Sequence, residues 1–159
     1  MDVSSQCISV NEANGIWTVS LPASAPYPYV RFKRGRLGYD YSVVVVDIHL
    51  LLSLHDRSNM RIPEPSAWEK DKLDVIRNFL DPTDPGEPEM PRVSVWDAPM
   101  SGWLSRIAQK RHADVIFGNG RHRTHYLRYV GATHIPVEVA SSSRSRIQEL
   151  CGIANQGPK

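Results

Sequence analysis

The chain has 159 residues, of which 41% are hydrophobic and 23% charged, and its formal net charge is +2. That balance fits one soluble globular domain with a real core and excludes a disordered chain. The net charge is too small to declare nucleic-acid binding by itself, so local clustering has to carry any such reading.

The two cysteines, Cys7 and Cys151, stand near opposite ends and outside any CxxC pair. A disulfide scaffold is therefore not expected, and a reducing, cytoplasmic setting is. The opening "MDVSSQCISV" lacks the basic region and apolar run of a signal peptide. The apolar runs around Asp47 and His49 fall short of the ~20 residues needed to span a bilayer, so no membrane insertion is expected.

In chain order, Gly15–Pro22 alternates as a strand, with Trp17, Val19 and Leu21 on one side. "SAPYPY" is a loop. "YVRFKRGR" interleaves Tyr29 and Phe32 with Arg31, Lys33, Arg34 and Arg36. This pattern suits either a nucleic-acid track or a solvated edge strand. "YSVVVVDI" is β-branched throughout and predicts a buried strand. "DIHLLLSLHD" predicts a short helix with Asp47 as its N-cap.

After the loop "RSNMRIPEP", Ser66 and Glu69 predict a capping box for a helix with Leu73, Ile76 and Leu80 on one stripe. Pro82 ends it, and "PTDPGEPEMP" is a rigid loop. Arg92–Asp97 predicts a strand. "SGWLSRIAQKRHAD" predicts a helix with Trp103, Leu104, Ile107 and Ala108 inward. "DVIFG" is a strand, "RHRTHYLRYV" a helix closed by Gly131 in the left-handed region, and "HIPVEVA" a strand. A serine-capped helix ends at Gly152. The expected fold class is α/β (α+β), a mixed sheet packed with helices in a single domain.

The candidate site is the turn Gly118-Asn119-Gly120 with the basic start of the following helix: Arg121, His122, Arg123, Thr124 and His125. A helix N-terminus already carries partial positive charge, so cations there are unfavourable unless an anion neutralises them. Glycines let the backbone approach phosphate oxygens, and arginine and histidine add charge-assisted hydrogen bonds. His122, His125 and His134 suggest a metal site more weakly, because no acid or thiol follows at a convincing spacing. Metal ligands stay unassigned; Glu64, Glu69 and Glu138 are the candidate carboxylates for a nuclease metal, and no carboxylate pair is compelling. No P-loop, no G-x-S-x-G elbow and no Cys-His pair is present in the sequence.

With these pieces in order, the segment Val43–Val139 resembles the ParB/sulfiredoxin-like superfamily. Arg61 sits where that family has a loop arginine, "KLDVIRNFL" matches its helix and "MPRVSV" its proline-led strand. "DVIFGNGRHRTHYLRYVGATHIPVEV" is similar to its basic turn, helix and final strand. The resemblance implies that Gly120, Arg121, His122 and Arg123 bind nucleotide phosphate, and more loosely Arg61; Gly118, Asn119, Thr124 and His125 join the expected phosphate site as the rest of the turn and helix start. In sulfiredoxins a nucleophilic cysteine precedes the His-Arg pair; here that residue is Arg121, so sulfinic acid reduction is not expected. No helix-turn-helix segment follows the matched part, so centromere reading is not expected either.

The turn "NGRHRT" and the chain length are similar to the plasmid fertility inhibition factors. That branch implies an effector that blocks conjugative DNA transfer, binding and hydrolysing ATP or another nucleoside triphosphate with Mg²⁺, and cleaving DNA. Arg121, His122 and Arg123 would be its catalytic residues. DNA would lie on Arg31, Lys33, Arg34 and Arg36, and a type IV secretion coupling or relaxosome component would be the protein partner. The expected organisation is N-terminal strands and a basic loop over 1–40, the ParB/sulfiredoxin-like domain over 41–152 and a frayed tail over 153–159. Two alternatives stay open: a non-catalytic nucleotide- or DNA-binding switch that occupies a partner, and a toxin–antitoxin or phage-defence nuclease.

Overall fold

The computed structural model describes residues 10–35, 40–56, 61–99 and 111–153. Arg36, Cys7, residues 101–110 of the expected helix and the tail from 154 lie outside them.

Alternating side chains build the first layer. Strands β1 (Val10–Ala13), β2 (Ile16–Ser20) and β3 (Tyr29–Lys33) form an antiparallel sheet in the order β1-β2-β3. Asn14 and Gly15 join β1 to β2 with φ of 56° and 78°. This Asn-Gly pair is what a two-residue hairpin turn of the right twist requires. Val19, Val30 and Phe32 point inward and are buried.

The second layer is a four-stranded mixed sheet. It contains β4 (Tyr41–Asp47), β5 (Arg92–Pro99), β6 (Arg111–Asn119) and β7 (His134–Ala140), in the order β4-β7-β5-β6. β7 pairs antiparallel with β4 along seven residues, and parallel with β5 only at Arg92–Glu138 and Val93–Val139. β5 and β6 are antiparallel. The valine run of β4 is an edge strand, not a fully covered one. Val44 and Val46 are buried, whereas Val43 and Val45 are half-buried. Its outer edge meets the chain again at Gly152, with the Ile153 N–H donating to the Val45 carbonyl (3.1 Å). The fully covered strand is β7, where every residue from Ile135 to Val139 is buried.

Among the described residues, four helices accompany the sheets: α1 (Ile48–Asp56), α2 (Lys70–Phe79), α3 (Arg121–Tyr129) and α4 (Arg144–Cys151). Asp47 caps α1 as expected, its Oδ1 accepting from the N–H groups of His49 (2.8 Å) and Leu50 (3.0 Å). The expected capping box of α2 does not form. Ser66 lies in a separate 3-10 turn over Pro65–Ala67, Trp68 is extended, and the helix starts at Lys70 without a side-chain cap. The cause is Trp68, whose buried indole donates to the Pro63 carbonyl (2.8 Å) and draws the chain out of helical geometry. The serine cap of α4 is also missing: Ser141–Ser143 make a 3-10 turn, and Ser143 forms no capping bond. Arg111–Asp114, expected at the end of a helix, extend β6, because each pairs with β5.

One continuous core joins the two sheets and the helices. A buried carboxylate also ties the layers. Glu138 on β7 is 0% exposed, and its Oε1 accepts from the Gly35 N–H (2.9 Å). Arg34 and Arg92 stand 3.7 and 3.6 Å from its two oxygens. A charge this deep is tolerated only with such partners.

Helix α3 begins after Gly120, which has φ of +76°. A Cβ there would lie 2.9 Å from Pro91 Cα. It ends in a Schellman motif: Gly131 has φ of +99°, its N–H bonds the Arg128 carbonyl (3.0 Å), and the Ala132 N–H bonds the Leu127 carbonyl (2.9 Å). Gly120→Ala combines a left-handed alanine with that close approach. It is expected to lower unfolding stability by about 1–3 kcal/mol in urea titration. Gly118→Ala, whose methyl would meet nothing nearer than 3.8 Å, is expected to change it by less than about 1 kcal/mol.

Candidate functional site

The end of β6 carries one residue more than β5 opposes. Arg92 pairs with Asn119 but Val93 with Phe117, so Gly118 forms a bulge. The Asn119 side chain turns back and accepts from the Arg92 N–H (2.6 Å). Gly120 then presses on Pro91, and its carbonyl accepts from both the N–H (2.9 Å) and the hydroxyl (3.0 Å) of buried Thr124. Bulge, amide and threonine together hold the turn rigid before any ligand arrives.

An open cleft of about 370 Å³ lies on this turn, lined by His55, Phe117, Gly118, Asn119, Gly120, Arg121 and His122. It sits where the first-turn amides of α3 lack acceptors in their own helix. The His122 ring meets the Trp68 ring edge-on, with centroids 5.5 Å apart. Lys72 Nζ stands 4.6 Å from the Trp68 centroid. Burial, Lys72 and Arg121 all push the His122 pKa below the usual histidine value. The mouth of α3 therefore gathers His122 and Lys72 around one indole, with Arg121 near enough to act on His122. Sequence reasoning missed Lys72 and Trp68, because both lie about fifty residues earlier and only the packing of α2 beside α3 brings them in.

The other expected residues go elsewhere. Arg123 points away from the cleft: its guanidinium donates to the Glu89 carbonyl (2.6 Å) and lies 5.0 Å from the Phe79 ring centroid. Thr124 serves the turn. His125 is 1% exposed, and neither ring nitrogen has a hydrogen-bond partner. Arg61 opens on a separate cleft of about 380 Å³ with Ile62, Pro63 and Glu64, linked to the first through the Trp68–Pro63 bond. On β3, Arg31 donates to the Pro82 carbonyl (2.7 Å), and just after it Arg34 donates to that of Tyr41; Lys33 and Arg34 are both exposed.

The histidines do not converge. His134 Nδ1 engages the Thr133 hydroxyl (2.9 Å) on β7. Among the described residues, no three His, Cys, Asp or Glu side chains gather as metal ligands would. Glu64 pairs with Arg128, Glu138 is held by its arginines, and Glu69 is exposed before α2. Among the described residues, the cleft lining contains no carboxylate. These residues do not fit a protein-held Mg²⁺, which prefers carboxylate oxygens. Buried Cys151, its thiol pushed up to about 12 chiefly by burial, is no nucleophile.

The family model for plasmid fertility inhibition factors matches residues 43–152, from β4 through α4. The chain belongs to the plasmid fertility inhibition factor family. The crystal structure of the Oncogenic Suppression Activity Protein, a plasmid fertility inhibition factor solved as a gold(I) cyanide derivative, shares the fold. The TM-score is 0.63 at 18% identity, covering 95% of this chain and 79% of that one. No curated protein is matched by the sequence. In this member of the family the cleft, the turn and α3 all fall within the matched region. Among the described residues, no helix is long and apolar enough to cross a membrane.

Burial, with Arg128 adding to it, pushes the His125 imidazole down to about 4, against an ordinary value of 6.5. The folded state thus keeps this ring neutral while the unfolded chain protonates it. Stability contributed by the neutral ring is complete above about pH 7 and falls as pH drops from 6.5 towards 4. The loss is about 3 kcal/mol. Urea unfolding at a series of pH values checks this: His125→Phe should flatten that slope.

Proposed function

We propose that this chain is a fertility-inhibition effector whose Gly118–His122 cleft binds the phosphates of a nucleoside triphosphate. The observation that supports it is the pre-formed cleft at the start of α3, walled by Arg121 and His122 with Lys72 close by, and with no carboxylate among its described lining residues to repel an anion. Arg121 and Lys72 would neutralise phosphate charge, and His122 would donate once protonated. Phosphoryl transfer consists largely of such positioning and charge stabilisation. On this reading the protein acts in the cytoplasm on conjugative DNA transfer, with ATP as the first nucleotide to test. DNA and a secretion coupling or relaxosome component are its proposed partners.

The second reading, a non-catalytic switch, is favoured by one feature: among the described residues, the cleft lining offers no carboxylate for Mg²⁺. Tight nucleotide binding without phosphate release would select it.

Arg123→Ala is a poor probe, because Arg123 supports Glu89 and packs on Phe79. Arg121→Ala is the better one. Loss of one charge-assisted contact should weaken ATP binding about tenfold or more, read from the amide shifts of Gly118 and Gly120. Unmoved amides in the wild-type protein would sink the proposal.

His122 gives an independent readout. Its titration midpoint by NMR should lie below 6.5 in the free protein and rise when inorganic phosphate is added. Phosphate should accordingly bind more tightly as pH falls. A midpoint indifferent to phosphate would count against contact with the ring.

A further inference from the structure

Resting on the nucleotide reading above, we propose that Phe117 is the platform on which the base of the bound nucleotide stacks, and that the cleft accepts a nucleoside triphosphate whatever its base.

The lining of the cleft divides by chemistry. Gly118–His122 supplies the turn and the phosphate-binding side chains; among the described lining residues, what remains is two rings, Phe117 and His55. Phe117 is the last residue of β6 before the bulge and pairs across to Val93. It is half-buried. Part of its side chain packs on the core, and part forms the wall of the cleft. Its orientation is set in advance. The buried His55 ring meets it at 87° with centroids 4.9 Å apart, and His55 is itself tied through Nδ1 to the Val115 carbonyl (2.9 Å). The bulge at Gly118 bends the strand next to the ring, so the aromatic wall and the basic turn open on one cleft. Phosphate oxygens gain nothing from an arene. A nucleotide joins an anionic chain to a flat aromatic base, and this lining offers a place for each.

The polar groups that would have to read the edge of a base are already engaged. Asn119 Oδ1 accepts from the Arg92 N–H (2.6 Å). His55 is fully buried, with Nδ1 on the Val115 carbonyl. Among the described lining residues, the other polar side chains are Arg121 and His122, which the phosphates claim on the reading above. Stacking by itself is tolerant, because every base has a π-face. Strong rejection of a wrong ligand needs site groups that hydrogen-bond the right one. The affinity that Phe117 supplies is therefore shared by purine and pyrimidine nucleotides.

The test uses the full chain with ATP, GTP, CTP, UTP and inorganic tripolyphosphate, each followed through the Gly118 and Gly120 amides. The four nucleotides should bind within about tenfold of one another. Tripolyphosphate has the charge but no base. It should move the same amides and bind about fivefold or more weakly than ATP. Phe117→Leu keeps apolar bulk beside His55 but has no π-face. It should weaken ATP binding about fivefold or more and leave tripolyphosphate binding unchanged, whereas Phe117→Tyr should bind ATP as the wild type does. The wild-type protein gives a readout that needs no variant, nuclear Overhauser contacts between the base protons of ATP and the Phe117 ring. A single nucleotide preferred by more than about tenfold overturns the base tolerance. Missing base-to-ring contacts, or wild-type ATP affinity in folded Phe117→Leu, overturn the platform, and tripolyphosphate binding then leaves the phosphate site standing. Binding of neither ATP nor tripolyphosphate removes both.

Discussion

The short extended strap Pro88–Arg92 is the constraint on which the rest of the molecule depends. Its backbone is gripped from several sides at once. Lys33 on β3 donates to the Pro88 carbonyl and accepts from the Met90 N–H, each at 2.9 Å. The Glu138 N–H of β7 donates to the Pro91 carbonyl (2.8 Å), and Arg123 of α3 donates to that of Glu89. Pro91 also supplies the surface against which only a glycine fits at position 120. One strap thus docks the first sheet on the second and sets where α3 begins. Buried backbone groups must find partners, and here nearly every partner comes from a different element.

The strap also explains how the cations at the head of α3 divide. Arg123 is drawn inward because the strap presents a carbonyl and α2 presents Phe79. His125, two residues on, rotates into the core beside His55. Arg121 and His122 remain on the cleft side. A 3.6-residue period distributes consecutive side chains around the helix, so a basic cluster in sequence cannot act as one cluster in space. What replaces the lost members is Lys72, carried in by α2 and held near Trp68. The arginines on and just after β3 show the same logic. Arg31 and Arg34 satisfy carbonyls of neighbouring segments and the buried Glu138, which binds the layers together.

Much of the fold was legible. The Asp47 cap, the turn into α3, its Gly131 stop and the "HIPVEVA" strand all appear as read, because each is set by residues within one or two turns of itself; the valine run is a strand as read, but an edge strand and not a fully buried one. The first strand was missed although Asn14-Gly15, a strong hairpin signal, marks it. The capping box failed because a buried indole outweighed a local hydrogen-bond pattern worth about 1 kcal/mol. Arg111–Asp114 read as helix and form strand because β5 lies alongside, and pairing overrides propensity.

By itself, the sequence determined most of the element types, the mixed α+β class, the family likeness and the glycine-flanked basic turn. These follow from periodicity, β-branching and the few residues able to take positive φ. Only the tertiary structure decided which sheet edge β4 occupies, which cations reach the cleft, and that His55, Trp68 and Lys72 stand beside it. Those facts arise from contacts between segments tens of residues apart. Their geometry is set by what each buried polar group and each aromatic ring must pack against, which no local pattern records.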